Sequence, residues 1–374
     1  MDPAVLIDPE FWADQTPMSP APNAPELPDA PKLIGHVLFP TSGSTGYPKW
    51  IALSKRALLV SAEAVNRHLG VTADSCWGLA LPVHHVGGFG VAARAYQAGC
   101  GFSMALRRWN PQHCVEWLSR SRVTHLSLVP TQVVDLVRAG LRAPEWLEAV
   151  VVGGGRLHQA QGRAARELGW PVLASFGMTE AASQIATQPV VALNEPYEPA
   201  PIPVLPIWET RCSDEGRLEI TGPALFSGFL EGVEEGWQYR ARTEKWYRTN
   251  DLVRIDDSGL TPLSRHDQVV KILGELVDLE AIERQLRSMA GDSIASLRFV
   301  VLAMPDERAG HRLVLVSDGS SSSTLERCFL NYNATAPGHA RIAKLIQTDN
   351  IPVSELGKPL RRDLLDRLIR TDDL

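Results

Sequence analysis

Between about residues 33 and 175, short apolar runs alternate with amphipathic stretches of helical length. LIGHVLF precedes SKRALLVSAEAVNRHL, and SCWGLALP precedes GFGVAARAYQAG. THLSLVP precedes TQVVDLVRAGL, EAVVVGGG precedes QAQGRAARELG, and PVLASFG closes the series. Such alternation predicts a mostly parallel sheet with helices on its faces. After about residue 195 the texture changes to a proline-rich stretch (196–206) and then to short strand-like pieces, RLEITG, WYRTND, LVRIDD and LTPLSR, punctuated by Gly and Asp. They predict a β-rich subdomain over about 196–265.

A third texture begins near residue 267. VVKILGELVD predicts a hairpin and LEAIERQLRSM an amphipathic helix. LRFVVLAM and RLVLVS predict strands, SDGSSSST a connection and RRDLLDRLIR a last helix. The expected fold is therefore α/β. It has a large N-terminal domain (33–265) of mostly parallel sheet and helices with the β-rich subdomain. A small α+β C-terminal domain (267–374) follows, and residues 1–32 form an irregular, proline-rich lead-in. The length of 374 residues agrees with two domains.

Composition narrows the function classes. The chain is 44% hydrophobic and 21% charged, with a net charge of −6. No basic excess points to nucleic acid and no polybasic patch to a membrane surface. Cys76, Cys100, Cys114, Cys212 and Cys328 have no CxxC spacing. They read as reduced thiols of a cytoplasmic protein. Asp2, Asp8 and Glu10 replace the basic start of a signal peptide, and no apolar run reaches the ~18 residues of a membrane span.

The stretch TSGSTGYPK (41–49) carries the first chemistry. Gly43 and Gly46 let the backbone approach a ligand and turn its amides inward, as anion-binding nests do. Thr41, Ser42, Ser44 and Thr45 add hydroxyls, and Lys49 adds a mobile charge suited to phosphate. Taken alone, the stretch is as well explained by a surface turn. It does not follow the Walker A spacing.

Four further motifs follow in order. They are SFGMTEAAS (175–183), YRTND (247–251), SRHDQVVKILGELVDLEAIE (264–283) and ELGKPLRRDLL (355–365). With the Gly-Ser-Thr stretch they resemble the motifs of adenylate-forming enzymes, the superfamily of acyl-CoA synthetases, luciferases and peptide-synthetase adenylation domains. The resemblance covers residues 40–365. It implies an acid–thiol ligase that uses ATP, Mg²⁺ and coenzyme A. An acid attacks the α-phosphate of ATP to give an acyl-adenylate, and coenzyme A then displaces AMP.

By that resemblance, residues 41–46 with Lys49 embrace the β- and γ-phosphates. Thr179 touches the α-phosphate, and Glu180 with Thr45 holds Mg²⁺. Gly153, Gly154 and Gly155 and the run Ser175, Phe176, Gly177 frame the adenine. Asp251 binds the ribose, backed by Arg265. Lys358 is brought to the substrate carboxylate and α-phosphate by rotation about a hinge near 266–267, at Asp267. Gly274 belongs to the coenzyme A path. Taken singly, Glu180 reads first as a helix-start carboxylate, and Asp251 reads also as a turn residue. Asn250 stands where the family has glycine.

LPVHHVGGFG (81–90), LVPTQVVDLV (128–137) and FGMTEAASQIAT (176–187) resemble most the o-succinylbenzoate–CoA ligase branch, which serves menaquinone and phylloquinone biosynthesis. The resemblance implies an acid pocket of His85, Gly87, Gly88, Thr131, Gln132, Ser183 and Gln184. His85 gates the acid or meets its carboxylate. No arginine stands out in the sequence as partner for a second carboxylate. Another aryl- or acyl-CoA ligase and a module loading a carrier-protein thiol are the alternatives. The expected partners are small molecules, and the resemblance allows a homodimer.

Overall fold

The structure is a computed structural model describing residues 1–374 except 23, 25–30, 42–48, 106–108, 234–235, 291–297, 307, 319–322, 356 and 371–374. The chain divides into two compact units. The first comprises residues 1–212, 219–248 and 255–261; the second comprises 213–218, 249–254 and 262–374. Passage between them occurs after the strand Glu209–Cys212 and within the strands Arg217–Thr221, Tyr247–Asp256 and Gly259–Arg265. The 249–254 segment with Asp251 thus belongs to the second unit.

The first unit is built on a six-stranded sheet. Its order is Gly101–Met104, Cys76–Leu79, His125–Leu128, Ala149–Val152, Val172–Met178 and Ser183–Thr187. The first five strands are parallel and the last is antiparallel to its neighbour. Strands such as Ala149–Val152 are buried throughout, as expected of a sheet covered on both faces. The intervening helices are Val86–Ala98, Pro111–Ser121, Pro130–Arg138 and Gln159–Glu167. Asn110 caps the second of these by accepting from the His113 amide at 3.0 Å, with Pro111 at the first helical position.

Two expectations need correction. The 36–41 run does not join the parallel sheet. It pairs antiparallel with Lys49–Ser54, which pairs with Gly228–Val233 and through it with Gly236–Ala241. KWIALS is strand before helix Lys55–Leu69 begins, and Ser54 marks the change by capping Ala57 N at 3.1 Å. The lead-in is also ordered at its start. Short helices at Pro3–Ile7 and Pro9–Ala13 bury Leu6, Phe11 and Trp12. Trp12 stacks on Tyr96 with ring centroids 5.2 Å apart, and the buried Lys55 ammonium donates to the carbonyls of Phe11 and Asp14.

The second unit has a three-stranded sheet in which Gly310–Asp318 lies between Phe299–Asp306 and Ile342–Thr348. Alternate residues face two cores. Phe299 and Val301 pack with the helices Leu279–Ala290 and Ser323–Thr335, and Val300 and Leu302 pack with the helix Arg361–Arg370. Arg361 closes the unit by donating to both Glu283 oxygens, at 2.6 and 2.9 Å. The hairpin Val269–Ile272/Glu275–Asp278 matches the sequence expectation. Residues 319–322 of the SDGSSSST connection lie outside the described residues, while its ends belong to the strand Gly310–Asp318 and the helix Ser323–Thr335.

His125 is fully buried at the start of its strand, with Nδ1 2.9 Å from the Thr124 hydroxyl. Burial pushes its pKa down to about 4. The unfolded chain, with an ordinary histidine value near 6.5, therefore takes up a proton that the folded chain refuses. Stability from neutral His125 is complete above pH 6.5 and is lost as pH falls toward 4. Urea unfolding of wild type and His125→Gln should show an extra loss of roughly 3 kcal/mol in wild type across that window. Parallel pH profiles would contradict the assignment.

Candidate active site

The candidate residues fall into two sets, one in each unit. In the first unit, the candidates at 85–88, 131–132, 153–155 and 175–180 lie at or after the carboxyl ends of parallel strands, where open α/β sheets bind ligands, whereas Thr41 and Lys49 belong to the antiparallel sheet. Ser42, Gly43, Ser44, Thr45 and Gly46 lie outside the described residues. Their flanks are fixed by the Thr41–Lys49 strand pair, in which the Thr41 hydroxyl donates to Lys49 O at 3.2 Å. The Lys49 ammonium lies 3.7 Å from Glu231 and 5.0 Å from the centre of the Phe229 ring.

Gly153, Gly154 and Gly155 follow the strand Ala149–Val152 directly. Gly154 has φ +75°, a conformation that glycine adopts without steric cost, and a side chain there would press on Val129. Ser175, Phe176 and Gly177 end the next parallel strand. Ser175 Oγ donates to Ala186 O at 3.2 Å. A Cβ on Gly177 would fall 1.6 Å from Ser183 O, so only glycine fits this crossing. Thr179 and Glu180 form a single 3₁₀ turn, and the Tyr247 hydroxyl donates to Glu180 Oε1 at 3.3 Å.

Of the acid-pocket candidates, His85 precedes the helix Val86–Ala98, with its ring 4.5 Å from that of His84. Gly88 lets that helix approach the Pro82 carbonyl, which an added Cβ would meet at 2.3 Å. A Cβ built on Gly87 would meet, among the described residues, only the Leu81 side chain, at 3.8 Å. Thr131 sits in the first turn of Pro130–Arg138. Gln132 is buried as a brace: its Oε1 accepts from Val129 N at 3.0 Å and its Nε2 donates to Ala80 O at 3.2 Å. Gln184 is buried too, accepting from the Thr187 hydroxyl at its side chain and from Trp208 Nε1 at its carbonyl.

The residue that sequence reasoning missed is Arg94. It lies on the helix Val86–Ala98 and is only 2% exposed. Its Nη1 donates to Ser127 Oγ at 3.1 Å and its Nη2 to Ser183 Oγ at 3.4 Å. No acidic side chain among the described residues forms an ion pair with it. Burial lowers its pKa to about 9, so it remains charged at neutral pH. Gly90 packs close to it: a Cβ there would stand 3.3 Å from Nη2 and crowd the guanidinium. The charge was legible in GFGVAARAYQAG, but its burial depends on elements distant in sequence.

Ser183 reaches Arg94 from an unfavourable backbone. Its φ is +103° and that of Ala182 is +50°, both rare for residues with a side chain. Ser61 holds the turn by donating to Ala182 O at 2.9 Å.

In the second unit, Asp251, Arg265, Asp267 and Lys358 act on one another. Arg265 donates to both Asp267 oxygens, at 3.1 and 3.0 Å, and lies 3.8 Å from Asp251. Burial raises the Asp251 pKa, with Arg265 and Lys358 opposing. Lys358 keeps solvent contact, but the protein packed around it and then Arg265 lower its pKa against Asp251 and Glu280. Asn250 needs no left-handed backbone. Its Oδ1 accepts from Arg217 Nη2 at 2.9 Å, which anchors the strand without glycine. Gly274, with φ +91°, makes the turn of the 269–278 hairpin.

These features belong to an α/β fold with a second, smaller unit, and comparison names the family. Residues 6–230 match the AMP-binding enzyme family, and the chain belongs to it. Among curated relatives, 2-succinylbenzoate–CoA ligase of Staphylococcus aureus is 26% identical over 342 residues, covering 88% of this chain and 66% of that protein. The enzyme of the same name from Enterococcus faecalis is 27% identical over 285 residues, covering 72% and 56%. This chain is thus shorter than the relatives it matches. The fold is similar to that of o-succinylbenzoate CoA synthetase (MenE) from Bacillus subtilis in complex with the acyl-adenylate intermediate OSB-AMP. That match has a TM-score of 0.73 at 24% identity and covers 88% of this chain and 68% of that one. It is also similar to ATP-bound MatB from Rhodopseudomonas palustris, with a TM-score of 0.75 at 23% identity, covering 89% and 68%.

The strain at Ser183 is directly testable. Ser183→Gly relieves the backbone, whereas Ser183→Ala removes only the hydroxyl. In urea unfolding, the glycine variant should be more stable than the alanine variant by about 1 kcal/mol. Equal stabilities, or the reverse order, would contradict the strained assignment.

Proposed function

We propose that this chain is an ATP-dependent acid–CoA ligase acting on o-succinylbenzoate, the ligase step of menaquinone or phylloquinone biosynthesis. Membership of the AMP-binding family supports the reaction class. The observation that carries the acid is Arg94, a buried guanidinium hydrogen-bonded to two hydroxyls with no acidic partner among the described residues. o-Succinylbenzoate has one carboxylate to activate and a second to bind. The second would complete Arg94, Ser127 and Ser183 as a charge-assisted cluster.

In the first step, an oxygen of the activated carboxylate attacks the α-phosphorus of ATP and pyrophosphate leaves. The thiol of coenzyme A then attacks the acyl carbon and AMP leaves. Residues 41–46 and Lys49 hold the outer phosphates, and Thr179 holds the α-phosphate. Glu180 offers a hard carboxylate oxygen steadied by Tyr247, which suits Mg²⁺, with Thr45 as the second candidate ligand. When bound, Mg²⁺ supplies charge neutralisation on the phosphates. The turn 153–155 and the 175–177 strand end frame adenine. Asp251 and Arg265 take the ribose, and Lys358 supplies positive charge where negative charge grows in the first step. Asp267 is the proposed hinge, and Gly274 belongs to the coenzyme A path. His85, Gly87, Gly88 and Thr131 line the acid pocket, while Gln132 and Gln184 brace it from behind.

Among the described residues no helix is long and apolar enough to cross a membrane. A cytoplasmic location and a homodimer belong to the same proposal.

A panel of acids with ATP, Mg²⁺ and coenzyme A, read by mass spectrometry of the thioester, tests this function. o-Succinylbenzoate should exceed benzoate in kcat/KM, and Arg94→Met should reduce that preference roughly 100-fold. Equal use of both acids by wild type would overturn the substrate. Pyrophosphate release that stays at background with every acid would overturn the reaction.

A further inference from the structure

Arg94 does not stand on hydroxyls alone. Its guanidinium carbon lies 5.1 Å from the centre of the Trp77 ring, within the range where an aromatic face attracts a cation. Trp77 is fully buried on the strand Cys76–Leu79. Its indole N–H donates to Asn66 Oδ1 at 3.1 Å. The amide nitrogen of the same Asn66 donates to the Arg94 carbonyl at 2.9 Å and to Gln97 Oε1 at 2.8 Å. One side chain of helix Lys55–Leu69 therefore fixes both the ring and the backbone that carries the guanidinium.

We propose that Trp77, held by Asn66, is a positioning residue that sets selectivity for an acid with a second carboxylate. The inference rests on the reading of Arg94 given above. A buried cation without an anion is costly, and the electron-rich ring face offsets part of that cost while the site is empty. The ring also fixes where the guanidinium stands, so an arriving carboxylate meets a donor array already in place. His125 lies near the same ring, with centroids 5.3 Å apart, but burial keeps it neutral at assay pH and it does not compete for the ring as a second cation.

The test compares the ratio of kcat/KM for o-succinylbenzoate over benzoate in wild type, Trp77→Phe, Trp77→Leu and Arg94→Lys. Trp77→Leu should lower the ratio about tenfold and Trp77→Phe less, with the change carried by KM for o-succinylbenzoate. If Arg94→Lys collapses the ratio while Trp77→Leu lowers both acids alike, Trp77 only fills space and the proposal is overturned. If wild type shows no preference, or Arg94→Lys leaves the ratio unchanged, the reading of Arg94 fails and this inference with it. Should Trp77→Leu not fold, wild-type enzyme carrying 5-fluorotryptophan gives a second readout. The ¹⁹F resonance absent from Trp77→Phe should shift with o-succinylbenzoate and not with benzoate. No shift, or the same shift with both acids, would overturn the proposal.

Discussion

A guanidinium buried without a carboxylate is an unstable arrangement unless the surrounding protein is built to tolerate it. Burying an ion costs several kcal/mol even after local relaxation. Arg94 is held on the face of Trp77 with two hydroxyls at its nitrogens, and burial draws its pKa down without removing its charge at neutral pH. The first unit carries this cost in its core. A ligand anion that arrived there would find the desolvation already done.

Several otherwise unrelated features serve this constraint. Gly90 has no side chain to crowd Nη2, and Ser183 accepts a strained backbone to bring its hydroxyl there. Gly177 permits the strand crossing that the strain requires, and Ser61 pins the turn from the helix Lys55–Leu69. The parallel sheet supplies the geometry, since its strands end together and their loops converge. The second unit contributes a different charge cluster, in which Arg265 ties Asp251 to Asp267 and Lys358 acts on both Asp251 and Arg265.

Much of the fold was legible because it rests on local signals. The β-α alternation from 76 to 178 and the C-terminal hairpin and helix followed from periodicity alone. The strand Lys49–Ser54 was missed because its six residues run without a break into a helix. The N-terminal helices were missed because each spans only five residues, too short for a helical period to show, although proline suits their first turn. Motif residues such as Glu180, Asp251 and Lys358 stood out by their neighbours in sequence. Arg94 did not, because its burial is decided by Trp77, Ser127 and Ser183, none of them adjacent to it. For the same reason the tie from Arg217 that accommodates Asn250 lay beyond sequence reasoning.

The most direct test of the central claim is a crystal structure with a non-hydrolysable o-succinylbenzoyl sulfamoyl adenosine. The account predicts the free carboxylate within hydrogen-bonding distance of Arg94 Nη2 and Ser183 Oγ. A bound analogue whose free carboxylate points to solvent, with Arg94 untouched, would contradict it.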